Sequence, residues 1–121
     1  MEYQSHKIIE SRSFPGVRLK IRRISFGRRI ELMRRVSELA AKAEFLEAGG
    51  DPREKLGAKL LASEIDRIYL EWGLADVEGL AIDGEPATPE KLVASGPEAI
   101  CGEALQAIKG ELGLDEQEEK N

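Results

Sequence analysis

The chain has 121 residues, enough for one domain with a small core and no need of disulfides or structural metal. Charged residues make up 34% of it, aromatic residues only 5%, and there is a single cysteine, Cys101. An internal disulfide is therefore excluded, no apolar run reaches the ~20 residues that span a bilayer, and the N-terminus MEYQSHKIIESRS lacks the apolar stretch of a signal peptide. The net charge of −5 is unevenly spread: residues 1–35 hold ten Lys/Arg against three Asp/Glu, and residues 36–121 hold eight against twenty. Such polarity favours self-association or a partner met by one face.

In chain order, residues 1–13 read as a frayed segment or an edge strand, with IIESRS the part able to pair through a Pro15-Gly16 turn. Val17, Leu19 and Ile21 then alternate with Arg18, Lys20 and Arg22 at the period of a half-buried strand, apolar on one face and cationic on the other. Ser25 can cap the helix that follows, because its hydroxyl can accept from the free N–H groups of the first turn. From Gly27 to Ala48 the residues Leu32, Val36, Leu39, Ala43 and Leu46 form one helical seam, and Gly49-Gly50 stops it. Arg28, Arg29, Arg34 and Arg35 crowd its first half, where positive charge opposes the helix dipole at about 0.3–1 kcal/mol each near the first turn. Something other than helix stability must favour them there.

Asp51-Pro52 is a strong start signal for a second helix, with its seam at Ala58, Leu61, Ile65, Ile68 and Trp72 and Gly73 as its end. Two helices of this length joined by a short loop predict an antiparallel hairpin. LAIDGEPA predicts a tight turn around Asp83-Gly84, Thr88-Pro89 opens the short helix EKLVAS, and Ser95 with Glu98 fits a capping box opening a final helix. That helix carries Ile100, Ala104, Ile108 and Leu112 on one face and stops at Gly113. The expected fold is mainly α (α+β), a single compact domain over residues 1–113, followed by an acidic tail at 114–121 expected to be disordered.

Chemistry is sparse. His6 is the only histidine, and it and Cys101 give neither a nucleophile with its base nor a ligand set for zinc. Carboxylates such as Glu44, Glu47, Glu64 and Asp66 sit at helix-edge spacings, and no glycine-rich phosphate loop follows a strand. No enzyme, cofactor or metal is expected. The Arg-rich stretch 18–29, with Phe26 among its cations, is the one constellation suited to nucleic acid, but no recognition motif accompanies it and the molecule is acidic. Trp72 either ends the core seam or anchors a partner at the open end of the hairpin.

The order of elements, with VRLKIRRISFGRR, the two-helix middle, EWGLADVEGLAIDGEP and the acidic tail, resembles the small tail assembly chaperones of tailed bacteriophages and prophages. The resemblance covers roughly residues 14–113. It implies a non-enzymatic helical protein of the host bacterial cytoplasm that binds the tape measure protein, helps recruit tail tube protein, and is absent from the finished particle. It also implies that a longer frameshifted product can arise near the end of the gene. On this reading Trp72, Leu74, Val77, Leu80 and Ile82 form a contact surface, and Arg18, Arg22, Arg28 and Arg29 an electrostatic one. The alternatives are a structural or connector protein of the virion, and a nucleic-acid-binding regulator using the 18–29 segment.

Overall fold

A computed structural model describes residues 1–113, so the expected acidic tail at 114–121 lies outside the described residues. The fold is mixed α and β, as the composition of strand-like and helix-like segments predicts. Its strands are β1 (His6–Glu10), β2 (Arg18–Arg22), β3 (Leu74–Glu78), β4 (Ala81–Ile82) and β5 (Glu85–Pro86). Its helices are α1 (Phe26–Ala48), α2 (Pro52–Gly73), α3 (Pro89–Ser95) and α4 (Glu98–Glu111). Where the sequence suggests one domain, contacts group the chain into two compact units. One is Ser25–Ile68; the other is Met1–Ile24 together with the residues from Tyr69 onward.

The sheet unit is built on β2, the central strand of an antiparallel β1-β2-β3 sheet. Alternation decides its faces: Leu19 and Ile21 are fully buried, with Val17 just ahead of them, while Arg18 and Lys20 point to water. Ile9 and Val77 stand opposite Leu19, so all three strands offer apolar groups to one side. Leu70 and Trp72 from the last turn of α2 complete this core with Leu92 of α3 and Ile100, Ala104 and Ile108 of α4, all buried. Three of the four residues of the seam expected for α4 thus form its core face; Leu112 instead caps the helix half-buried, and Gly113, at φ 76°, takes the left-handed conformation that ends a helix.

β3 is the element the sequence reading lacks. Leu74 and Val77 are three residues apart, which breaks strand alternation, yet both are buried because a register shift beside Lys20 and Ile21 sets Leu74 opposite Ile21 and Asp76 opposite Lys20. The bulge absorbs the extra residue, Ala75. Asp83 (φ 52°) and Gly84 (φ 82°) make the turn of the β4-β5 hairpin, the expected Asp-Gly signature.

The expected cap of α4 is corrected. Ser95 is the last residue of α3, closed by the Gly96 N–H donating to the Leu92 carbonyl at 2.9 Å, and Pro97, which offers no side-chain hydrogen bond, holds the N-cap position of α4. Thr88 caps α3 instead, accepting from the Lys91 N–H at 3.1 Å.

In the helical unit Ser25 caps α1 as predicted, accepting from the Arg28 N–H at 3.2 Å. The Asp51 carboxylate accepts from the Arg53 N–H at 2.9 Å at the start of α2. The two long helices form a hairpin, and Leu46 packs close to Gly57 beside the connection. Both seams fall where the spacing puts them, but only Leu32 and Ala58 are buried in this unit. Val36, Leu39, Ala43, Leu46, Leu61, Ile65 and Ile68 remain half-exposed. Two helices alone cannot enclose the seam between them.

Candidate interaction surface

The sheet unit satisfies its own polar groups. Ser11, the one buried polar residue among those described, donates its hydroxyl to the Glu103 carboxylate at 2.7 Å, and the N–H groups of Arg12 and Ser13 donate to the same carboxylate at 2.6 and 3.2 Å. Ser11 Oγ in turn accepts from the Phe14 N–H at 3.1 Å, so one carboxylate of α4 organises the β1-β2 turn. Desolvation pushes the Glu103 carboxyl up, but the three hydrogen bonds and the Arg12 charge outweigh it and hold the group below its ordinary value. The groove beside β1 and α4, lined by Ile9, Glu10, Arg12, Glu103, Gln106 and Ala107, has this clamp as its rim.

Cys101 is half-buried, with its Sγ 3.7 Å from the Leu92 carbonyl. Burial and then the neighbouring Glu98 charge raise its pKa, which disfavours the thiolate a nucleophile needs. His6, the other reactive type, opens β1 opposite Arg22 instead of fraying. Among the described residues no three His, Cys, Asp or Glu side chains gather where a metal could bind, and no helix is long and apolar enough to cross a membrane.

The residues suggested for partner contact separate into three groups. Trp72, Leu74 and Val77 lie inside the sheet unit at 7%, 2% and 5% exposure, so they are core and not surface. Leu80 and Ile82 are half-buried beside them in sequence. Arg18 and Arg29 are exposed, Arg22 and Arg28 half-buried.

The cationic face of β2 is balanced by its neighbours. Arg18 stands between Glu10 of β1 and Glu78 of β3, and Lys20 has Asp76 across from it. Opposite charges at such cross-strand positions attract one another and reduce the positive potential a phosphate would meet. The sequence shows the cations; only the register brings the acids beside them.

What sequence reasoning missed is on the helical unit. Phe26, Ile30, Met33, Phe45, Leu56 and Leu60 are all exposed, most of them by more than half. Phe26, Ile30 and Met33 recur at i, i+4 and i+7, and Leu56 and Leu60 at i and i+4, so they form stripes and not scattered single residues. The signal was present as a second helical periodicity beside the seam, masked by the stronger one.

Charge is ordered along the same unit. The first half of α1 carries Arg28, Arg29, Arg34 and Arg35 against Glu31, and the second half Glu38, Glu44 and Glu47 against Lys42. α2 repeats the polarity, with Arg53, Lys55 and Lys59 against Glu54 at its start and Glu64 and Asp66 against Arg67 further on. In an antiparallel hairpin the basic half of each helix meets the acidic half of the other. Comparison with known protein families, curated proteins and solved structures returned no match to this chain.

Proposed function

We propose that this protein is a non-catalytic assembly chaperone that holds an amphipathic client helix against its α1-α2 hairpin. One observation carries the reading: the Ser25–Ile68 unit buries only two apolar side chains while leaving six large ones in water and its seam half open. A client helix laid on the half-open seam and reaching over the exposed side chains of the loop end would remove part of that surface from water at about 25 cal/mol per Å² of apolar area, the principal driving force for helix-in-groove recognition. Phe45 and Leu56 adjoin in sequence the close Leu46–Gly57 approach, which makes the loop end, with Leu60, the natural anchor for a client. The charged helix edges keep such a complex in solution.

The resemblance to phage tail assembly chaperones supplies the setting: the client is the tape measure protein, with tail tube protein as the downstream partner, in the host bacterial cytoplasm. The balanced rows on β2 argue against a nucleic-acid regulator. Co-expression with the tape measure protein of the same genome, followed by affinity capture, tests the reading. Capture should be lost in Phe45→Glu/Leu56→Glu/Leu60→Glu, whose changes fall on exposed positions and leave the circular dichroism spectrum unchanged. Failure of the native chain to capture this client, or capture that survives the triple substitution, would overturn it.

A further inference from the structure

The outer stripe of α1 has a symmetry of its own. Starting from Phe26, Ile30 and Met33, it passes through Ser37 and continues as Ala41, Glu44 and Ala48. The steps read four, three, four, four, three, four, the same in both directions about Ser37. All seven residues are exposed. The large side chains lie in one half and two alanines in the other.

We propose that this stripe is the docking surface for a second copy of the chain, with α1 packed antiparallel on α1 of the partner about a two-fold axis at Ser37. That arrangement sets Phe26 opposite Ala48 of the partner subunit, Met33 opposite Ala41 of the partner subunit, and the two Ser37 side chains across the axis. Large meets small at both ends, which is how two helices interdigitate at close range. Ile30 falls opposite Glu44 of the partner subunit, the charged member of the stripe, whose carboxylate lies beside Arg29.

Charge supports the same orientation. Arg29 and Glu47 lie on one flank of the stripe, and Arg34 and Glu38 on the other. An antiparallel two-fold brings matching flanks together with their ends reversed, so Arg29 comes within about 3 Å along the axis of the level of Glu47 of the partner subunit, and Arg34 equally near that of Glu38 of the partner subunit, within reach of these long side chains. A parallel pair would align Arg with Arg and Glu with Glu. A helix of 23 residues is about 34 Å long, and a single helix pair of that length places the dimer among small interfaces that associate at micromolar concentrations. The inference does not rest on the chaperone reading, since it uses the outer stripe of α1 and leaves the seam to a client.

Sedimentation velocity of the full chain over a concentration series tests it. The native chain should pass from monomer to dimer, with weaker association at high salt. Arg29→Glu/Arg34→Glu makes both halves of the stripe's flanks acidic, and Glu38→Arg/Glu47→Arg makes both basic. Each variant alone should self-associate about tenfold more weakly or worse, and an equimolar mixture should restore the dimer as a heterodimer. In a Cys101→Ser background, Ser37→Cys should form a covalent dimer on oxidation, and Lys42→Cys on another face should not. A native chain that stays monomeric at every concentration, charge variants that dimerise like the native chain, a mixture that does not recover, or Lys42→Cys linking as well as Ser37→Cys would each overturn the proposal.

Discussion

Replacing Glu103 with Gln tests whether one carboxylate holds the β1-β2 turn against α4. Gln keeps the size and one acceptor oxygen, so the change removes the charge on the group accepting from Ser11 Oγ at 2.7 Å and the N–H groups of Arg12 and Ser13 at 2.6 and 3.2 Å. Hydrogen bonds to a charged group contribute about 1.5–3 kcal/mol when buried, and the two N–H donors here are exposed, so the expected loss is about 1–2 kcal/mol in total. For a chain of this size that lowers the melting temperature by about 3–6 °C for each kcal/mol. The pH dependence gives a sharper sign. The folded carboxyl titrates below its unfolded value of 4.5, so its contribution is fully present above that value and is lost as pH falls through the lower, folded one. Urea unfolding of both proteins should therefore show a gap at neutral pH that closes in strong acid, because Gln has no proton to gain. A gap that is absent at neutral pH, or one that persists unchanged at pH 2, would refute the reasoning.

Three further outcomes follow from the packing. Gly73→Ala would place a Cβ 2.5–2.9 Å from three side-chain atoms of the fully buried Ile108, and should cost about 1–3 kcal/mol in chemical denaturation as the core shifts to admit it. Gly79→Ala combines a φ of +80° with a Cβ inside contact distance of the Gly16 carbonyl oxygen, so its loss measured the same way should exceed the ~1 kcal/mol that left-handed backbone alone costs an alanine. Trp72→Ala should remove about 3–5 kcal/mol of stability, read by thermal melting, and any loss of client capture should track the unfolded fraction, as expected of a core residue.

The parts of the fold legible in sequence are those where one periodicity acts alone. The 3.6-residue seams of α1, α2 and α4, the alternation of β2, the Ser25 and Thr88 caps and the Asp83-Gly84 turn each follow from a local rule that tertiary packing leaves intact. β3 was hidden because its bulge turns an alternating pattern into a three-residue step between Leu74 and Val77. The cap of α4 was misplaced because Ser95 satisfies a capping-box spacing that the closure of α3 at Gly96 overrides. Trp72 was legible as the end of a seam, but its exposure depends on residues from β3, α3 and α4 that come later in the chain. The apolar stripe on the outside of α1 needed a statement about burial, since periodicity says which residues share a face and not whether that face is covered.

The arginines at the start of α1 show how stability and function separate. Ser25-Phe26-Gly27-Arg28 is a capping box with the wrong last residue: a Glu at 28 would return a hydrogen bond to the cap and carry the negative charge the helix dipole favours. Exchanging Arg28 for Glu removes an unfavourable charge and adds a favourable one, together about 0.6–2 kcal/mol. Against this stands the interaction Arg28 already makes, which for a half-buried surface cation contributes about 0–1 kcal/mol. Helix physics wins, so Arg28→Glu should melt at the same temperature as the native chain or a few degrees higher. If the basic half of α1 exists to meet an acidic partner, the same variant should bind that partner less well and lose less affinity on adding salt. A clear loss of stability would mean that Arg28 is held by the fold, and the charge polarity of the hairpin would then need no partner to account for it.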